Sequence, residues 1–101
     1  MDVWLHRRKD GKLEASIDWE KLGFGVGDRL IRYLKENFGA RVIDRIKTSP
    51  TGERMWKLQI EGHTIVVWQI EWGETLDISA EDPSGESLVE RIAESVQRDM
   101  D

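Results

Sequence analysis

Two histidines and a surplus of carboxylates have the widest chemical reach in this 101-residue chain. His6 and His63 would start a zinc site, but neither has the HxxxH or HxE spacing that brings a third ligand into reach. They read as ordinary surface or half-buried histidines, and no metal or other cofactor is expected. Nucleophilic catalysis needs Ser, Thr or Lys beside a base. Ser16, Ser49, Ser79, Ser84, Ser87 and Ser95 lie in no elbow or SxxK setting. Cysteine is absent, which removes thiol nucleophiles, thiolate metal sites and disulfides together. Gly23, Gly25 and Gly27 precede a helix, where free N–H groups would cradle a phosphate. Their spacing is neither a dinucleotide fingerprint nor a P-loop, and Asp28 repels an anion, so they read as a strand-to-helix connection.

The remaining candidates are acids and aromatics. Asp44 has two readings. If Val42 and Ile46 face the core, it becomes a buried carboxylate with a perturbed pKa; a bulge, or the opposite face, leaves it solvated. Glu71, Glu74, Asp77, Glu81, Asp82 and Glu86 do not follow the ligand order of a calcium loop. They read as a solvated surface or as a docking face for a basic partner. Of five tryptophans, Trp56 and Trp68 are expected in the core, while Trp4, Trp19 and Trp72 fall near element ends, where interface anchors are common.

Charge sharpens this. Residues 1–57 hold thirteen Lys/Arg against nine Asp/Glu, whereas residues 58–101 hold two against eleven. Arg45, Lys47, Arg54 and Lys57 form a basic margin that would suit nucleic acid, but the acidic half opposes a polyanion. No apolar run approaches the roughly 18–20 residues of a membrane helix, and the N-terminus lacks a signal-peptide pattern. A soluble protein with a cytoplasmic location and no membrane contact is expected.

The elements that must position these residues follow from periodicity. The chain length suits one domain over residues 1–101. Asp10-Gly11 predicts an N-terminal hairpin over residues 2–19. A two-residue turn there pairs Trp4 with Ile17 and His6 with Ala15. A helix is expected over residues 28–38, capped by Gly39, and another over residues 85–98, introduced by Asp82-Pro83-Ser84. Between them, residues 41–80 read as a four-stranded antiparallel meander. Three-residue loops ending at Gly62 and Gly73 would turn Trp56, Leu58, Val66, Trp68, Leu76 and Ile78 inward. Met55, Ile65, Val67 and Asp77 would then face outward.

The class is therefore α+β, order ββαββββα, with two amphipathic helices on one face of the sheet. From the second strand onward this order resembles the TATA-binding-protein-like layout, a likeness that carries little functional weight. The runs Gly39-Ala40-Arg41-Val42 and Glu53-Arg54-Met55-Trp56-Lys57-Leu58-Gln59-Ile60-Glu61-Gly62 resemble small bacterial proteins of uncharacterised function. The resemblance implies a bacterial source and no chemistry.

The function expected from these features is a non-catalytic protein-binding module of inhibitor, immunity or adaptor type. Its partner, a protein of basic character, would meet Met55, Ile65, Val67, Glu71, Glu74, Asp77, Glu81 and Asp82; a homodimer is the other arrangement considered. The alternatives are a nucleic-acid-binding domain and a small-ligand binder or enzyme with a cavity between sheet and helices.

Overall fold

The computed structural model describes residues 2–18, 25–48, 53–69 and 75–100. Its strands are β1 (Asp2–Arg7), β2 (Leu13–Asp18), β3 (Arg41–Thr48), β4 (Glu53–Ile60), β5 (His63–Gln69) and β6 (Thr75–Ala80). Helix α1 (Val26–Phe38) joins the hairpin to the meander. Helix α2 (Glu86–Asp99) follows a single 3-10 turn at Pro83–Gly85. All six strands form one antiparallel sheet in the order β1-β2-β6-β5-β4-β3. The α+β class, the element order and the meander are as the sequence predicts. The hairpin extends the sheet, with β2 pairing β6.

Both helices lie on one face. Leu30, Ile31 and Leu34 of α1, and Leu88, Val89, Ile92, Ala93 and Val96 of α2, join Ile17, Trp56, Leu58, Leu76 and Ile78 in one apolar cluster. Gly39 ends α1 at φ 64°, with its N–H on the Leu34 carbonyl, the left-handed cap expected of it. Where α1 meets the sheet the approach is close. A Cβ on Gly27 would come within 2.4 Å of Trp56 Cη2 and 2.5 Å of Gln69 Oε1. At the surface the helices are tied by the Tyr33 hydroxyl, which hydrogen-bonds Ser95 and donates to Asp99 Oδ2 at 2.6 Å. No helix among the described residues is long and apolar enough to cross a membrane.

Two hairpins correct the expected register, in opposite directions. The first closes through three residues. Gly11 donates to the Arg8 carbonyl and Arg8 to the Lys12 carbonyl, Gly11 sits at φ 87°, and Asp10 Oδ1 accepts from the Lys12 N–H. Trp4 consequently faces Ser16, and His6 faces Glu14. The second closes through two residues, Glu61 at φ 51° and Gly62 at φ 81°, the pattern of a type I′ turn. Trp56 then pairs with Val67 and Leu58 with Ile65.

Ile65 and Val67 are therefore fully buried against the helices, and Trp68 is 42% exposed on the other face. This overturns the outward placement of Ile65 and Val67 and the inward placement of Val66 and Trp68. The physical reason is space. Trp56 already fills the gap beneath Gly27, and branched aliphatic chains fit a layer that close where a second indole would not. The expected loop at Gly73 lies outside the described residues.

Candidate functional site

The helices leave the opposite face of the sheet uncovered, and the pairings fix what stands there. Residues directly opposite one another share a face. One row crosses all six strands: Trp4, Ser16, Asp77, Trp68, Met55 and Ile46. The next row is His6, Glu14, Ser79, Val66, Lys57 and Asp44. A shift in pairing between Val42 and Asp44 puts Asp44 opposite Lys57 and exposed, so the bulged, solvated reading of Asp44 is the one observed. The same shift turns Ile46 outward, 37% exposed.

Along the two central-left strands the outward positions are small or acidic: Glu14, Ser16 and Asp18 on β2, and Thr75, Asp77 and Ser79 on β6. The strands on either side carry larger residues, Trp4 and His6 on β1 and Val66 and Trp68 on β5. Trp4 is 44% exposed. At about 4.8 Å per strand, the positions of Trp4 and Trp68 stand roughly 14 Å apart. In side-chain length this makes a shallow groove parallel to the strands, bulkier residues on β1 and β5 flanking short or acidic ones on β2 and β6.

Its floor holds a polar cluster. Ser16 Oγ donates to Asp77 Oδ1 at 2.7 Å and shares a hydrogen bond with His6 Nε2 at 2.8 Å, its direction set by the imidazole tautomer. His6 Nε2 also lies 3.4 Å from Glu14 Oε1. Arg8 reaches Glu14 Oε2 only at 3.7 Å, and Asp10 also holds it at 3.3 Å. Burial, and then the neighbouring Asp77 charge, push the Glu14 carboxyl above its ordinary range, against the weaker pull of Arg8 and His6. Among the described residues, this face sets the carboxylates of Glu14, Asp18 and Asp77 beside His6 and beside Arg8, which Asp10 shares. One ligand atom each from His6, Glu14 and Asp77 lies within 4.8 Å of the others.

Ser16 Oγ is buried between the imidazole and the Asp77 carboxylate, within hydrogen-bond distance of both. His63 lies opposite Ile60, on the helix side of the sheet, so the two histidines do not meet.

Of the residues expected to contact a partner, Met55 and Asp77 stand on the uncovered face, while Ile65 and Val67 are core. Glu81 and Asp82 are exposed just beyond β6, and Glu81 holds Lys57 at 2.9 Å. Glu71 and Glu74 lie outside the described residues, as do Trp19 and Trp72. His6, Glu14, Ser16 and Trp68 were not assigned to this face from the sequence. Only the correct lengths of two turns would have placed them there.

The basic margin is divided. Arg54 and Arg45 pair with Gln69 and Trp56 on the helix side, whereas Lys57 is on the uncovered face. Arg54 bonds Asp28 at 3.0 Å and stacks 4.5 Å above the Trp56 ring. A further groove, about 210 Å³ and mostly apolar, runs along the β1 edge between Val3, Leu5 and the α2 residues Ala93, Glu94 and Gln97. Compared with known proteins, the chain matches no family model, no curated protein and no solved structure at a significant level.

Proposed function

We propose that the protein is a non-catalytic binding module whose uncovered sheet face receives a basic, partly apolar segment of another protein. The observation that carries this reading is the groove over β2 and β6. Its floor is acidic and short-chained, and tryptophans stand at both margins. Carboxylates favour an Arg or Lys side chain, and indoles beside them add cation–π attraction and apolar contact. Trp68, Met55, Val66 and Ile46 continue the surface as an apolar strip toward β3, matching a partner that alternates basic and apolar residues. Aromatic anchors flanked by charge are the usual composition of interface hot spots.

Nucleic acid is the weaker alternative, because Arg54 and Lys57 lie on different faces and each already pairs with a carboxylate. The protein-binding reading is tested with a capped octapeptide alternating Arg and Leu, followed through tryptophan emission, beside a Glu-Leu counterpart. Saturable 1:1 binding of the basic peptide alone, weakened by Trp68→Ala and by Asp77→Asn, supports the groove. Equal binding of both peptides, insensitivity to both substitutions, or self-association that blocks the face overturns it.

A further inference from the structure

We propose that His6, Glu14 and Asp77 form a binding site for a divalent transition-metal ion of the zinc class. The inference stands on this cluster and not on the docking reading. Its donor set is one imidazole nitrogen and two carboxylates, a combination borderline ions such as zinc accept in four-coordinate sites. Calcium and magnesium require six or more oxygens at close to full coordination, and an imidazole at the centre selects against them.

The geometry is nearly that of a first coordination sphere. Ligands about 2.0–2.1 Å from a tetrahedral zinc lie about 3.3–3.4 Å from one another, and His6 Nε2 to Glu14 Oε1 is 3.4 Å. Asp77 lies within 4.8 Å of both, an excess that side-chain rotation can close. The three ligands come from three adjacent strands, with β2 pairing β1 on one side and β6 on the other. They are therefore held by sheet hydrogen bonds and not by loops, the condition under which a site keeps its shape before the ion arrives.

Chemistry supplies the remaining parts. The imidazole coordinates through Nε2 as the neutral Nδ1–H tautomer, so a proton held on Nε2 passes to Nδ1 through solvent, or from the imidazolium to bulk water, on binding. Ser16, hydrogen-bonded to Asp77, stays as the outer group that orients that carboxylate. A water would complete the four-coordinate set. An ion here neutralises the two carboxylates on the groove floor, so zinc and a basic segment exclude one another.

Zinc chloride titrated calorimetrically into the chelator-stripped full chain tests the site. One equivalent should bind saturably. His6→Ala, Glu14→Gln and Asp77→Asn should each weaken binding about tenfold or more, and His63→Ala should not, with circular dichroism confirming that each variant is folded. In the unmutated protein, zinc should shift the His6 imidazole proton resonances and leave those of His63 in place. No saturable heat up to millimolar zinc overturns the proposal. So does a site lost with His63 and kept without His6, or a zinc-induced shift at His63 alone.

Discussion

Gly27 shows how tightly a single residue sets the distance between the layers. A methyl there would strike Trp56 Cη2 at 2.4 Å and Gln69 Oε1 at 2.5 Å, and both side chains are buried at 2% exposure. Gln69 Oε1 has no hydrogen-bond partner among the described residues, so moving it breaks no hydrogen bond, and the cost falls on the rigid Trp56 indole. Gly→Ala normally favours a helix by about 1 kcal/mol. Here overpacking, typically about 1–3 kcal/mol, outweighs that gain. Gly27→Ala should therefore destabilise the protein by about 1–2 kcal/mol in urea unfolding, with an unchanged m-value. A stabilised variant would mean that α1 lies further from the sheet.

At the scale of the element, the alternation of β5 decides which surface the molecule shows. Ile65 and Val67 are fully buried and Trp68 is 42% exposed, so truncations along one strand should differ sharply. Ile65→Ala should cost about 2–5 kcal/mol, whereas Trp68→Ala should cost less than about 1 kcal/mol. The opposite ranking would restore the register in which Gly62 ends a three-residue loop. That register was the natural reading, because a two-residue turn forces Glu61 to φ 51°, and non-glycine residues resist positive φ.

What the sequence could not weigh was the helix layer. A strained residue costs roughly 1–3 kcal/mol, and the close fit over Trp56 outweighs it. The amphipathic helices, the Gly39 cap and the four-strand order were all legible, because each rests on local periodicity or a single cap. The site was not. His6, Glu14, Ser16 and Asp77 lie far apart in sequence and meet only once two turns and the β2–β6 pairing are settled.

The helix pair adds a titratable clamp. Hydrogen bonds from Arg98 and Tyr33 hold the Asp99 carboxyl below its ordinary range. A folded-state pKa below the unfolded one means that the unfolded chain binds the proton more readily. The contribution is therefore present above about pH 4 and lost as pH falls through the depressed value. Asp99→Asn should lower the melting temperature at pH 7 and leave it unchanged near pH 2. An equal decrease at both pH values would show that the clamp acts through packing alone.

Across the whole molecule, charge separates by sequence half but not by side. Lys57–Glu81 and Arg7–Glu86 join the halves as ion pairs, while Arg91–Glu61 and Arg54–Asp28 each close within one half, and every pair has an exposed or half-exposed partner. Such pairs contribute little to stability, and the two that cross offset only part of the −9 balance of residues 58–101. On the uncovered face Glu14, Asp18 and Asp77 share adjacent strands, with Arg8 and His6 beside Glu14. A cationic segment would be drawn to that face from beyond contact distance, and the Debye length falls from about 10 Å at 0.1 M salt to about 3 Å at 1 M. The association rate of the Arg-Leu peptide should therefore fall at least tenfold between 20 mM and 500 mM salt, with dissociation changing much less, in stopped-flow tryptophan fluorescence. Asp77→Asn should flatten that slope, and Glu90→Gln on the helix side should leave it as it is. A slope equally sensitive to both would place the attraction in the net charge of the protein and not in the groove.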